Sequence, residues 1–259
     1  MDATRETHVE QLRALGVGPG VILLVHASFR ALRPVKAGPQ GVIDALVETI
    51  GPSGTLVMPS WTADDDRPFD PSATAAAPDL GVIAEAFWRR PGVRRSDHPF
   101  AFAALGPHAE EIVSGPLPIP PHAPASPVGR VHALGGRVLL LGVGHDADTT
   151  LHLAELLAGV PYRVRKHVTV AGDGVPTRIE YGENDHCCRR FALADDWLRS
   201  AGLQSEGPVG SAHARLLRSR DVVRLAVERL RANPLLFLDP PGSGCAECDD
   251  ARASVARSS

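Results

Sequence analysis

Residues 21–59 read VILLVHASFRALRPVKAGPQGVIDALVETIGPSGTLVMP. Val21 to Val25 is an unbroken apolar run bounded by Gly20 and polar residues, the pattern of a strand covered on both faces. Residues 39–50 carry apolar side chains at helical spacing and stop at Gly51-Pro52, a pair that ends a helix. Thr55 to Pro59 is a second short apolar run. Strand, helix, strand predicts a right-handed crossover between neighbouring parallel strands.

The flanking chain extends this pattern. Residues 4–16 place Val9, Leu12 and Leu15 on one helical face, and Gly16 closes it. Residues 79–90 resume a helix, Val138 to Val143 gives a third buried strand, and 149–158 a helix capped by Thr149 or Thr150. Residues 167–181 predict a hairpin turning at Gly172-Asp173-Gly174. Residues 185–201 and 211–231 have the apolar spacing of two amphipathic helices, and the tail beyond Pro240 reads as loop. Residues 62–79 and the six-proline segment 115–128 cannot build regular core. The sum is an α/β fold, one domain over 1–259 with a central sheet and helices on both faces. Active sites of such folds gather beyond the carboxyl ends of strands.

The net charge of −3 lacks the basic footprint that nucleic-acid binding needs. No apolar stretch reaches the roughly 18 residues of a membrane span. The opening Met1-Asp2-Ala3-Thr4-Arg5-Glu6 lacks the layout of a signal peptide, so a cytoplasmic protein is expected.

Five places can carry chemistry. His26-Ala27-Ser28-Phe29-Arg30 follows the first strand, where small residues let amides approach an anion and Arg30 pairs with a phosphate; an ordinary turn capped by Ser28 fits equally. Gly142-Val143-Gly144 leads into a helix carrying Thr149, Thr150 and His152. That layout presents free N–H groups to an anion or oxyanion, and a positive helix end would lower the His152 pKa and keep it a neutral base. A core histidine is the alternative. Glu183-Asn184-Asp185-His186 offers carboxylates to orient a histidine or hold a cation, or simply caps the next helix. Asp64, Asp65, Asp66 and Asp70, nearly free of balancing cations, would steer a polyamine, or merely solubilise a loop.

The fifth is the cysteine set. Cys245-x-x-Cys248 has the bite of a tetrahedral zinc site, and Cys187 and Cys188, with His186 able to replace one of them, are the matching soft ligands. A structural zinc would then pin the tail 240–259. Four unmetallated cysteines or a redox pair are the alternatives. A cysteine-dependent hydrolase built on Cys187 or Cys188 has no visible catalytic partner in the sequence.

Val25-His26-Ala27-Ser28-Phe29-Arg30, Gly54-Thr55-Leu56-Val57-Met58-Pro59-Ser60-Trp61, Arg95-Ser96-Asp97-His98-Pro99, Ser126-Pro127-Val128-Gly129 and Thr149-Thr150-Leu151-His152-Leu153-Ala154-Glu155 together resemble the aminoglycoside 3-N-acetyltransferase family. The resemblance covers nearly the whole chain, with Glu183 to Cys188 and Cys245 to Cys248 pointing to the apramycin- and gentamicin-resistance subgroup. It implies the antibiotic N-acetyltransferase fold, three layers around a mixed sheet and distinct from the GNAT fold. It further implies acetyl-CoA as co-substrate, His152 as general base, and Glu183 and Asp185 as acids that assist it or bind the drug. Coenzyme contacts are implied at His26, Ser28, Phe29, Arg30, Ser96, His98 and Ser126, joined by Gly144 and Thr150 of the helix-entry segment. The drug is expected against Asp64, Asp65, Asp66, Asp70, Asp146, Glu183 and Asp185. A homodimer is compatible with the resemblance. A same-fold enzyme acting on another amine, or a non-catalytic binder of the drug or of coenzyme A, are the competing readings.

Overall fold

The computed structural model describes residues 4–258 apart from 173. Its strands are β1 (Ile22–Ala27), β2 (Thr55–Pro59), β3 (Arg94–Arg95), β4 (Phe102–Leu105), β5 (Arg137–Leu141), β6 (Val164–Gly172), β7 (Val175–Glu183), β8 (Gln204–Val209) and β9 (Ala212–Arg218). The helices are α1 (Arg5–Leu15), α2 (Phe29–Leu32), α3 (Gly38–Ile50), α4 (Gly81–Trp88), α5 (Ala109–Val113), α6 (Pro127–Ala133), α7 (Thr150–Ala158), α8 (Leu193–Ser200), α9 (Ser219–Ala232) and α10 (Ala246–Ser258).

Seven strands form one mixed sheet in the order β3-β4-β2-β1-β5-β9-β8. β2, β1 and β5 are parallel, and the strands outside them run antiparallel. Because successive side chains on a strand point to opposite faces, each central strand feeds two cores. Leu23, Val25, Leu56, Met58, Leu139 and Leu141 face one, with α1, α3 and α4 packed over them. Ile22, Leu24, Val57, Val138 and Leu140 face the other, covered by α5 to α9. The result is a three-layer α/β/α architecture around a mixed sheet.

β6 and β7 pair from Val164↔Glu183 to Gly172↔Val175 as a separate ribbon. This is the expected hairpin, longer at both ends; the Asp173 of its turn lies outside the described residues. Among the described residues no helix is long and apolar enough to cross a membrane.

Three expectations are corrected. Residues 212–218 are strand β9, because pairing with β5 from Arg137↔Arg218 to Leu141↔Ala214 outweighs the helical preference of Ala, Leu and Arg. Only 193–200 of the segment 185–201 is α-helix, preceded by a 3-10 turn at Arg189–Ala192, and 185–188 form an irregular stretch beside the site that ends in a left-handed turn at Cys188. The tail is not loop: α10 begins at Ala246 and buries Cys248 and Ala251 in the second core.

Phe237 anchors that tail. It is fully buried against Phe191 (centroids 4.7 Å) and Trp197 (6.0 Å). Phe237→Ala is expected to cost about 3–5 kcal/mol of unfolding free energy. Denaturant titration measures it, and a loss below about 1 kcal/mol would show that the tail is not part of the core.

Candidate active site

The carboxyl ends of the three parallel strands open into one cavity of about 400 Å³. His26 and Ala27 reach it from β1, Pro59 from β2 and Val143 from beyond β5. His152 enters from the first turn of α7.

That helix starts differently from the expectation. Neither Thr149 nor Thr150 caps it; Asp148 Oδ1 accepts Thr150 N–H at 3.0 Å and its carbonyl accepts Leu151 N–H at 3.1 Å. These amides are spent on the cap, so they are not free to hold an oxyanion. Three residues after His152, on the same helical face, stands Glu155. It is fully buried, and its Oε2 accepts His152 Nδ1–H at 2.8 Å. Oε2 also accepts Asn184 Nδ2–H at 2.7 Å, while Oε1 accepts His186 Nε2–H at 2.8 Å and the Tyr162 hydroxyl. An ionised carboxylate only accepts, so Glu155 fixes Nδ1 of His152 as a donor and leaves Nε2 for chemistry.

His152 lies stacked on His122 (4.9 Å, 22°) with Phe191 edge-on at 4.8 Å, and its side chain is 16% exposed. Burial pushes its pKa down, but Cys188 and Glu155 outweigh burial and hold it well above the ordinary histidine value. The expected depression by the helix end is therefore overturned: the end is capped and a carboxylate sits on the ring. Burial would raise the Glu155 carboxyl, yet bonds to His152 and His186 bring it to about 2.

A second cavity of about 270 Å³ shares Trp61 and His122 with the first. Asp65, Glu183 and Asp185 line it together with the aromatic faces of Phe100 and Tyr181. Burial, against the opposing pull of His152, raises the Glu183 pKa; burial likewise raises that of Asp65. Asp185 pairs with Lys166 at 2.5 Å.

The segment 183–188 serves both sites by alternation. Glu183 and Asp185 face the acidic cavity, Asn184 and His186 bind Glu155, and Cys188 Sγ lies 3.4 Å from His152 Nε2.

Other expected residues divide. His26, with Nε2 3.2 Å from Thr149 Oγ1, and Asp146 line the first cavity. A Cβ on Gly144 would stand 2.6 Å from Asp146 Oδ1, so a side chain there would displace the Asp146 carboxylate. Ser28 caps α2, Phe29 is partly buried and Arg30 is exposed. Ser96, His98, Ser126 and Thr150 are buried and line neither cavity; Ser96 bonds both backbone groups of Phe102, and Ser126 caps α6 through Gly129 N–H. Of the acidic loop only Asp65 faces a cavity. Asp64 pairs with Arg67, Asp66 with His167, and Asp70 is consumed by a turn with Ser72.

The cysteine set is also redrawn. Donor atoms of Cys187, Cys245, Cys248 and Asp239 lie within 4.8 Å of one another, whereas Cys188 turns to His152. Both ring nitrogens of His186 are engaged, Nε2 by Glu155 and Nδ1 by Cys188 N–H, so it replaces no cysteine. Of the other site residues, Glu155 and Trp61 enter the sequence reading only as members of family motifs without a role, and His122 and Tyr162 are not singled out at all. The His-x-x-Glu spacing signals Glu155; nothing local signals Tyr162.

The family model described as aminoglycoside 3-N-acetyltransferase matches residues 24–231. The chain is 62% identical to aminoglycoside N(3)-acetyltransferase IV of Salmonella sp., over 91% of this chain and 90% of that protein. Among solved structures, a histidine-to-alanine variant of aminoglycoside acetyltransferase type IVa superposes with a gentamicin bound (TM-score 0.97, 60% identity, 98% of both chains) and with apramycin bound (0.90, 58%, 95% and 98%). The enzyme AAC-IIIb in binary complex with CoASH gives a TM-score of 0.81 at 28% identity over 90% of this chain and 97% of that one. With an imidazole–carboxylate pair at a cavity beside an acidic, aromatic one, and with likeness of this extent along the chain, the protein belongs to the aminoglycoside 3-N-acetyltransferase family.

Proposed function

We propose that the chain transfers the acetyl group of acetyl-CoA to the 3-amino group of the 2-deoxystreptamine ring of aminoglycosides, conferring resistance, with His152 as general base. One observation carries the assignment of roles: a histidine whose Nδ1 is bound to a buried carboxylate and whose ring lines a cavity adjoining an acidic one. The relatives that bind gentamicin, apramycin and coenzyme A support both substrates.

An ammonium has no lone pair, so the amine must shed a proton before or as it attacks the thioester. A proton passes efficiently when donor and acceptor pKa values are close, and the raised pKa of His152 brings it toward that of an amine. Asp65, Glu183 and Asp185 would hold the drug's other ammonium groups, with Trp61, Phe100 and Tyr181 against its ring faces. The acetyl donor belongs in the first cavity, lined by His26 and by Asp146, which the sequence reading assigns to the drug, with Arg30 on the exposed turn after β1 free to pair its diphosphate. Acetylation removes one positive charge from the drug and so weakens its hold on RNA phosphates.

We also assign a structural zinc to Cys187, Asp239, Cys245 and Cys248. Zinc–sulfur bonds of about 2.3 Å in a tetrahedron put sulfurs about 3.8 Å apart. Cys187 Sγ lies 3.6 Å from Cys248 Sγ and 3.7 Å from Asp239 Oδ2, which matches. Arg189 donates to both Asp239 and Cys187 and offsets their charge. The ion would tie the tail 240–259 to the segment that carries Cys188, completing one domain over 1–259. The compartment of the acetyl donor makes the enzyme cytoplasmic.

His152→Ala should lose most of kcat while still binding acetyl-CoA, and wild-type turnover would end the general-base role. In the wild type, kcat/KM should fall as pH drops through the raised His152 pKa. Glu155→Gln removes the charge that favours imidazolium, so this limb should move to lower pH while kcat falls about 10²-fold or more; an unmoved limb would mean that Glu155 does not tune the base. Asp185→Asn should raise the aminoglycoside KM with little change in the acetyl-CoA KM, and an unchanged drug KM would remove Asp185 from the drug site. Elemental analysis of the purified protein should find one zinc per chain, lost in Cys245→Ser and kept in Cys188→Ser. Zinc lost equally in both would restore the four-cysteine cage.

A further inference from the structure

The general-base role of His152 leaves one nucleophile at the site unused. Cys188 Sγ stands 3.4 Å from His152 Nε2 and lines the first cavity with it. The opposite nitrogen of that ring is bound to Glu155 at 2.8 Å. Sulfur, imidazole and carboxylate thus follow one another in the order by which thiol enzymes activate a nucleophile: one ring nitrogen takes the thiol proton while a carboxylate steadies the other. The partner that the sequence does not reveal for Cys188 is supplied by a residue 36 positions away.

The backbone supports the same assignment independently. Cys188 sits at φ 58°, ψ −1°, a left-handed conformation that costs a non-glycine residue about 1–3 kcal/mol and persists where surrounding contacts enforce it. Here His186 Nδ1 accepts the Cys188 N–H at 3.0 Å, and His186 is itself held by Glu155. The turn points two adjacent cysteines at different sites: Cys187 into the cluster with Asp239, Cys188 at the base.

We propose that Cys188 accepts the acetyl group of acetyl-CoA when no aminoglycoside is bound, and that the chain thereby hydrolyses acetyl-CoA through an acetyl-Cys188 thioester. This rests on the placement of the acetyl donor in the first cavity. In the first step Cys188 Sγ attacks the thioester carbonyl as its proton passes to His152 Nε2. The bond from the acetyl carbon to the coenzyme sulfur breaks, and that sulfur leaves with the proton from His152. In the second step water attacks the acetyl-Cys188 carbonyl and gives its proton to His152. The acetyl–Sγ bond breaks, the proton returns to Sγ, and acetate departs. The sum is acetyl-CoA and water to coenzyme A, acetate and one proton released to solvent, with no oxidant or other reactant.

The test incubates the full-length protein with acetyl-CoA alone, quenches in acid and maps acetylated peptides, while free coenzyme A and acetate are followed. The expected result is acetyl on Cys188 and none on Cys187, Cys245 or Cys248, with coenzyme A and acetate released in equal amounts. Cys188→Ala should lose the label and slow coenzyme A release by about a hundredfold or more. Cys188→Ser, nearly isosteric, repeats the measurement should the alanine variant fail to fold. His152→Ala retains the thiol and should lose the label as well, which separates an activated cysteine from spontaneous acetylation. An unlabelled wild-type Cys188, hydrolysis unchanged in both cysteine variants, or full labelling in His152→Ala would each overturn the proposal. Acetylation of apramycin by the wild type is run in parallel. Drug acetylation with Cys188 unlabelled would sink this proposal alone, whereas labelling without drug acetylation would sink the aminoglycoside reading.

Discussion

The site is organised around one buried carboxylate. Glu155 has no exposed surface, and an isolated carboxylate in such a place would be protonated or excluded. It is tolerated because four donors meet its two oxygens: His152, Asn184, His186 and Tyr162. Those four fill the roughly four lone-pair sites that a carboxylate offers. Removing any one leaves part of a charge unpaired in a low-dielectric interior, a cost of several kcal/mol and larger than the bond itself is worth. The carboxylate thereby fixes α7, the chain entering β6, and the segment 184–186 to one another. The alternation along 183–188 follows, since Asn184 and His186 can reach Glu155 only if Glu183 and Asp185 face the opposite way.

The same carboxylate decides the electrostatics. A helix end is worth about 0.3–1 kcal/mol against a cation, and up to about 2 in partly buried geometry. A hydrogen bond to a charged partner is worth about 1.5–3 kcal/mol, and here it is shielded from water. The Asp148 cap further satisfies the amides through which the helix end would act. The carboxylate wins, and His152 becomes a stronger base than a free imidazole. For a reaction that must take a proton from an amine, that direction is the useful one.

How much of this is legible in the sequence depends on distance along the chain. β1, β2 and β5 announce themselves as apolar runs, and α1 and α3 by spacing and terminal glycines, because the information is local. β9 does not: Ala212 to Arg218 is composed of helix formers, and only its register against β5 makes it a strand. Cys188 falls in a stretch of helical spacing for the same reason, its left-handed turn being imposed by His186 and Glu155 and by no local preference. At the site His152 is visible at the head of its helix, and Glu155 can be found from its position three residues on. Glu183 and Asp185 draw attention instead as a conspicuous acidic loop. The meeting of Asn184 and Tyr162 on Glu155, and of Asp239 with three cysteines, has no signature short of the folded chain.

The fold also explains why the two cavities adjoin. Three parallel strands end together, and their carboxyl ends leave a floor that no side chain of the sheet fills. Chain arriving from outside must supply the walls. The proline-rich segment brings His122, the turn after β2 brings Trp61, and these two rings stand between the cavities. The two linings differ in what accompanies their acids: Asp65, Glu183 and Asp185 meet the rings of Phe100 and Tyr181 in the second, whereas Asp79, Asp146 and Asp148 share the first with the imidazoles of His26, His122 and His152. His152 stacks on the shared wall from the first side, so the ring whose other nitrogen Glu155 holds stands next to the boundary between them.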